Sequence, residues 1–178
     1  MKYHQIIRQD TANGIGIRIS LFVSGCNRHC PECHNKAGQD FDYGWEFTEQ
    51  VQEELFQEFR DYPIYNGLSI LGGEPFEPAN TKELALFVTR FKNRFPDKTL
   101  WIYTGYTYEE LLERVEHNDY NTQVMLKHAD VLVDGPFEIQ KKNLMISYRG
   151  SSNQRIIDLK ASKETNQVIL LNFDQKRG

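Results

Sequence analysis

The chain is poor in cysteine, and the few cysteines it has are crowded together. Only three occur among 178 residues, and all lie between positions 26 and 33. A disulfide framework would spread an even number of cysteines along the chain, so this pattern excludes a disulfide framework.

Long apolar runs are also missing: no run approaches the roughly 18 residues of a membrane span. The N-terminal stretch MKYHQIIRQDTANG lacks the apolar core of a secretory signal. We therefore expect a cytoplasmic protein, in which cysteines serve as metal ligands or catalysts.

A strong charge of either sign is absent as well. The formal net charge is −4, so bulk electrostatics do not favour nucleic-acid binding. We expect neither a nucleic-acid partner nor a membrane partner. No internal repeat, low-complexity tract or linker rich in proline and serine interrupts the chain. At this length, a single domain covering residues 1–178 is the simplest organisation.

Apolar patterning predicts strands that alternate with helices. Strands are expected at 15–23, 68–71, 99–103, 131–133 and 168–171, and 155–159 is expected to pair with the last of them. Three helices are expected to follow capping residues. These are Thr48, before an apolar face of Val51, Leu55, Phe56 and Phe59; Asn80, in a capping box with Glu83; and Thr107, in a capping box with Glu110. The second helix should stop before Pro96.

This alternation implies βαβ units and a parallel sheet. A complete (β/α)₈ barrel needs about 250 residues. The shorter chain therefore predicts an α/β fold in the form of an incomplete, laterally open (β/α) barrel with a parallel sheet. Ligands of such sheets collect where the strands end. Segments 26–33, 72–75, 104–105 and 134–135 all follow predicted strands, and we expect them to form the site.

The cysteines have the spacing C-x₃-C-x₂-C, at Cys26, Cys30 and Cys33. Three thiolates can hold three irons of a cubane cluster and leave the fourth iron without a protein ligand. A bidentate amino acid could chelate that iron through its amino and carboxylate groups. A Cys₃His zinc site that includes His29 or His34 is the strongest rival. A c-type haem attachment site or a thioredoxin-like redox pair would use Cys30 and Cys33 and leave Cys26 without a role.

Two motifs in the order found here resemble the radical S-adenosylmethionine superfamily. C-x₃-C-x₂-C follows one predicted strand, and Gly72-Gly73-Glu74-Pro75 follows the next. Over about residues 3–159 the chain further resembles the activating proteins of anaerobic ribonucleoside-triphosphate reductase. The segments that carry this resemblance are NGIGIR (13–18), LFVSGC (21–26), WIYTGY (101–106), DGPF (134–137) and RGSSNQR (149–155). Many superfamily members have an aromatic residue before the third cysteine, where this chain has Glu32.

The resemblance implies one [4Fe–4S] cluster per chain, ligated by Cys26, Cys30 and Cys33. It also implies that the backbone at Gly72, Gly73 and Glu74 binds the amino group of S-adenosylmethionine. Glycine suits that role because a missing Cβ lets the backbone approach a ligand closely.

Four further contacts to S-adenosylmethionine follow from the same resemblance. Backbone near Glu32 and His34 would lie beside the adenine, and Thr104 and Asp134 are candidates for the ribose and methionine parts. Flavodoxin or a similar protein would supply the electron that cleaves S-adenosylmethionine. The resulting radical would take a hydrogen atom from a glycine of the reductase, and no side chain would act as acid or base. A radical enzyme acting on a small molecule would share this site and need no protein partner.

Overall fold

The computed structural model describes residues 1–174, which form seven strands and five α-helices. The strands are β1 (Lys2–Asp10), β2 (Arg18–Val23), β3 (Trp45–Glu46), β4 (Gly67–Gly72), β5 (Thr99–Tyr103), β6 (Val131–Asp134) and β7 (Arg155–Asp158). The helices are α1 (Glu49–Asp61), α2 (Pro78–Arg94), α3 (Tyr108–Glu116), α4 (Tyr120–His128) and α5 (Leu159–Thr165). Residues 175–178 of the predicted 1–178 domain lie outside the described residues.

All strands join one mixed sheet in the order β3-β1-β2-β4-β5-β6-β7. The central strands β2, β4, β5 and β6 are parallel, whereas β1, β3 and β7 pair antiparallel to their neighbours. The prediction of a parallel sheet is therefore wrong at both edges. Only residues 11–17 join β1 to β2, and so short a connection makes a hairpin rather than a crossover. The sheet is open, and the predicted barrel is not confirmed.

The two faces of the sheet differ in what they bury. Ile19, Leu21, Leu68 and Ile70 point to one face and pack with the helices in the main apolar core. Because side chains alternate along a strand, the intervening residues point to the other face. There a smaller core of Trp101, Val131, Val133 and Ile156 packs against Tyr103, Tyr148, Leu171 and Phe173. This second face continues into the candidate site at the C-terminal ends of the parallel strands.

Two of the three predicted helix caps are confirmed. The Thr48 hydroxyl accepts a hydrogen bond from the Val51 amide (3.4 Å), and Thr107 forms the capping box with Glu110. The prediction for Asn80 is wrong, because α2 begins earlier, with Glu77 as its N-cap and Pro78 in its first turn. Proline suits that position because its φ is already helical. Within residues 1–174, no helix combines the length and the apolar character that crossing a membrane requires.

Several elements were not predicted or were predicted differently. Strand β1 is half exposed along most of its length, so its sequence lacks the apolar signal of a buried strand. The helix α4 was missed as well. Residues 155–158 form a strand that pairs with β6 on one side and, as predicted, with the segment 168–171 on the other. That segment is not itself a strand: it makes an isolated bridge between Leu170 and Ile157, flanked by two backbone hydrogen bonds to β7 (2.9 and 2.8 Å).

Candidate functional site

The three cysteines meet in one cavity, as the spacing predicts. β2 ends at Val23, and the loop that follows carries Cys26, Cys30 and Cys33 as free, half-buried thiols. All three line a cavity of about 500 Å³ together with residues that follow β4, β5 and β6. The cavity thus lies at the strand ends, where the parallel centre of the sheet places a ligand.

Hydrogen bonds from several distant segments hold the cysteine loop. The Gly25 amide donates to the Gly38 carbonyl (2.8 Å), and the Cys26 amide donates to the Gln39 carbonyl (3.0 Å). The buried carboxylate of Glu77 accepts from the Asn27 amide (2.8 Å) and from its side chain (3.0 Å). Sequence reasoning missed Glu77, because nothing local to position 77 signals a partner fifty residues away.

The backbone of the loop turns sharply at the residues that precede the second and third cysteines. His29 and Glu32 have φ values of 45° and 54°, a left-handed conformation that is uncommon for residues other than glycine and rarer for glutamate than for histidine. Between these two turns, the Cys33 amide donates to the Cys30 carbonyl (3.2 Å). Such strained backbone clusters at functional sites, where the surrounding structure maintains it.

The donor set fits an iron–sulfur cluster. Each iron of a cubane takes one thiolate, and this loop presents three thiols to one cavity. Burial raises the pKa of the Cys26 thiol to about 11, although the hydrogen bond that the sulfur accepts from the Arg28 amide acts in the opposite direction. Among residues 1–174, no three His, Cys, Asp or Glu side chains converge as the ligands of a single ion do. The ligands of a cubane have no such requirement, since each binds its own iron.

The Gly72-Gly73 turn packs directly against the cysteine loop. Gly72 has φ +113°, and a Cβ at Gly73 would lie 2.6 Å from the Gly25 carbonyl oxygen and 2.7 Å from that of Gly38. Neither backbone atom can move cheaply, so only glycine fits there. The Gly73 amide donates to the Val23 carbonyl (2.7 Å), and the Glu74 amide donates to the Gly25 carbonyl (2.8 Å). The two sequence motifs therefore form one structural unit.

The side chain of Glu74 has a role that the sequence did not suggest. It is buried, and its carboxylate accepts hydrogen bonds from the Thr104 hydroxyl (2.7 Å), the Gly105 amide (2.8 Å) and the Phe76 amide (3.0 Å). Burial raises the pKa of Glu74 above its ordinary value, although these three donors act in the opposite direction. The carboxylate thus connects the loops after β4 and β5.

The other predicted contact residues are placed unevenly. His34 and Thr104 line the cavity, but the Thr104 hydroxyl already donates to Glu74 and accepts from the Tyr106 amide (3.0 Å). Glu32 is exposed and is not among the lining residues. The carboxylate of Asp134 is fully buried, where it accepts from the Tyr108 amide (2.7 Å) and from the Arg155 guanidinium. Its neighbour Gly135 lines the cavity instead.

The cavity also contains donors without a partner, which sequence reasoning missed. Within residues 1–174, five buried side-chain nitrogen or oxygen atoms lack a hydrogen bond. Three of the five line this one cavity: Arg28 Nε, Asn35 Nδ2 and Tyr103 Oη. Because buried polar groups are normally paired, this concentration indicates a ligand rich in hydrogen-bond acceptors.

Three free thiols at the strand ends of an open sheet fit the class of iron–sulfur proteins. A family model described as "4Fe-4S single cluster domain" matches residues 12–157. That match covers most of the chain and includes both motifs of the site.

Curated relatives make the assignment specific. A protein from Pasteurella multocida is 41% identical over 157 residues, which are 88% of this chain and 96% of the relative. One from Vibrio cholerae is 38% identical over 88% of this chain and 97% of its own length. One from Enterobacteria phage T4 is 37% identical over 88% and 93%, respectively. Each is named anaerobic ribonucleoside-triphosphate reductase-activating protein. The chain belongs to the family of anaerobic ribonucleoside-triphosphate reductase-activating proteins.

Proposed function

We propose that this protein activates anaerobic ribonucleoside-triphosphate reductase as a radical S-adenosylmethionine enzyme. The observation that carries the proposal is the junction of the cysteine loop with the Gly72-Gly73 turn. There three free thiols and a glycine backbone border the same cavity, in a chain whose relatives bear the activating-protein name. The three thiols can hold a [4Fe–4S] cluster, and the turn can bring backbone acceptors close to an amino group.

The rest of the cavity supports binding of S-adenosylmethionine. We assign its amino group to the backbone at Gly72, Gly73 and Glu74. The adenine would lie beside the segment 32–34, where the His34 ring is 5.0 Å from the Phe137 ring, centroid to centroid. Thr104 and Asp134 remain candidates for the ribose and methionine parts. Because their side chains are bonded within the protein, we expect Thr104 to make a weaker contact and Asp134 to act through its backbone.

A cluster held by Cys26, Cys30 and Cys33 would supply the electron for reductive cleavage of S-adenosylmethionine, and the reaction would remove a hydrogen atom from a glycine of the reductase. The protein's own residues position S-adenosylmethionine and shield the radical from other C–H bonds. We propose that the open sheet corresponds to an incomplete barrel, whose open side admits a loop of the reductase. Flavodoxin or a similar donor in the cytoplasm would provide the electron. Its reducing environment would keep the three cysteines free.

Anaerobic reconstitution tests the cluster. The wild-type chain should bind about four irons and turn brown. Replacement of Cys26, Cys30 or Cys33 by Ala should abolish both the colour and the formation of 5′-deoxyadenosine from S-adenosylmethionine. Thr165→Ala, a similar truncation on an exposed part of α5, serves as the control and should behave as wild type. Colourless protein with about one zinc would support the zinc-site alternative and refute the cluster.

A second measurement tests the protein partner. Electron paramagnetic resonance of the reduced protein mixed with the reductase should show a doublet that requires S-adenosylmethionine. Formation of methionine and 5′-deoxyadenosine without such a signal would indicate a radical enzyme acting on a small molecule.

A further inference from the structure

Arg28 lies between the first two cysteines and points toward the ligand cavity. Its guanidinium carbon is 4.6 Å from the centroid of the Tyr106 ring, and its side chain lines the cavity. A Cβ at Gly105 would lie 2.6 Å from both Cδ and Nε of Arg28. Because Gly105 has no side chain, it leaves the space that Arg28 occupies. Through Arg28, the cysteine loop packs against the loop that follows β5.

No carboxylate forms a salt bridge with this arginine in the part of the chain that the structure describes. Arg28 forms no salt bridge within residues 1–174, and its Nε is buried without a hydrogen bond. Two buried carboxylates lie nearby, and the charge of Arg28 acts on one of them, Glu74, without a salt bridge between the two; the oxygens of both accept hydrogen bonds from other groups. Glu74 accepts three hydrogen bonds, and Glu77 accepts two from Asn27.

The buried Arg18 provides a contrast within the same protein. Its guanidinium donates to Ser69 Oγ (2.7 Å), to Thr99 Oγ1 (2.9 Å) and to three backbone carbonyls. The fold therefore satisfies the buried Arg18 fully, whereas the half-buried Arg28 at the cavity keeps one buried donor, Nε, without a partner. Since an unpaired donor on a cation is costly to bury, the arrangement at Arg28 calls for an anion supplied by a ligand.

We propose that Arg28 binds the carboxylate of S-adenosylmethionine. This inference rests on the function proposed above, in which the Gly72–Glu74 backbone holds the amino group. Glu74 is hydrogen-bonded to Gly105 (2.8 Å), against which Arg28 packs. The α-carboxylate is attached to the same carbon as the amino group, so it would then be within reach of the guanidinium. Arginine forms charge-assisted and often bidentate bonds with carboxylates. Such a bond would orient the methionine part relative to the cluster.

The test compares two ligands in binding experiments without turnover. Reconstituted protein with its cluster oxidised is dialysed to equilibrium against S-adenosylmethionine or against decarboxylated S-adenosylmethionine. Arg28→Gln should weaken binding of S-adenosylmethionine about 10- to 100-fold. It should change binding of the decarboxylated ligand by less than about 3-fold, because the carboxylate is then missing in any case. Arg60→Gln, on the exposed side of α1, removes the same charge away from the cavity and should alter neither affinity.

Equal weakening of both ligands by Arg28→Gln, or normal binding of S-adenosylmethionine, would overturn the assignment. Should Arg28→Gln fail to assemble a cluster, Arg28→Lys keeps the charge but loses the planar fork. It should still weaken only the carboxylate-bearing ligand, and wild-type affinity for that ligand would refute the proposal. Wild-type protein that assembles no cluster would instead contradict the proposed function itself, so the two failures are distinguishable.

Discussion

At the scale of single residues, the Glu74 carboxylate determines how the loops around the cavity fit together. Both of its oxygens act as acceptors: Oε1 takes the Thr104 hydroxyl and the Phe76 amide, and Oε2 takes the Gly105 amide. An amide side chain cannot reproduce this pattern, because one of its two ends is a donor. For holding these loops together, the placement of the two acceptor oxygens matters more than the negative charge, because burial opposes ionisation of Glu74.

Glu74→Gln should therefore destabilise the protein even though the two side chains have nearly the same shape. The NH₂ group would face a hydrogen-bond donor in the interior, and we expect a loss of about 1–3 kcal/mol in the free energy of unfolding. Urea unfolding of the variant and the wild type measures this directly. Gln57→Glu, an exposed change of the same atoms on α1, is the control. A Glu74→Gln variant as stable as wild type would show that the acceptor pattern does not matter.

At the scale of elements, Asp119 joins α3, α4 and the site. Its Oδ1 caps α4 by accepting from the Thr122 amide (3.0 Å), and its Oδ2 accepts from Arg114 Nη2 (2.6 Å) near the end of α3. Arg114 in turn donates to the Phe76 carbonyl (2.8 Å), close to the Gly72-Gly73 turn. Burial would raise the pKa of Asp119, but hydrogen bonds from Thr122 and Arg114 lower it below its ordinary value.

Asp119→Ala should cost about 1–2 kcal/mol near neutral pH, because α4 loses its cap. The lowered pKa sets the pH dependence. The stabilisation that comes from the charge is complete above the ordinary carboxyl pKa of about 4 and is lost as the pH falls through the lowered value. The difference between wild type and Asp119→Asn, which keeps a capping oxygen, should therefore shrink on acidification. Unfolding free energies measured near pH 7 and near pH 3 test this, and a difference independent of pH would contradict the interpretation.

At the scale of the whole molecule, Arg155 attaches the antiparallel strand β7 to the rest of the fold. Its guanidinium pairs with the fully buried carboxylate of Asp134 on β6 and with Glu109 on α3 (2.6 Å). Hydrogen bonds to Asp134, and then to Glu109, raise the pKa of Arg155 above its ordinary value. Asp134 also accepts from the Tyr108 amide, so one ion pair connects the last strand, its neighbour and the start of a helix.

Arg155→Gln should be the most destabilising of these changes, at about 3 kcal/mol, because it leaves the Asp134 charge buried and without a cation. Glu109→Gln removes the other, more exposed partner, whose side chain is 58% accessible, and should cost less than about 1 kcal/mol. Thermal unfolding of the two variants gives the comparison. Equal losses would mean that the buried half of the network contributes no more than the exposed half.

By itself, the sequence determined the features that depend on local spacing. The cysteine motif, the Gly72-Gly73 turn, the caps at Thr48 and Thr107 and the central strands follow from neighbouring residues. Such patterns reflect the side-chain periodicity of helices and strands and the residue preferences of caps and turns, all of which involve residues only a few positions apart.

Only the tertiary structure decided the rest. It made the edges of the sheet antiparallel, turned Asp134 toward Arg155, assigned Glu77 to the cysteine loop and left Arg28 unpaired at the cavity. Each of these depends on which distant segments meet: Glu77 and Asn27, for example, are 50 positions apart. Pairing across such separations is set by packing and by the need to satisfy buried polar groups, and no local pattern records it.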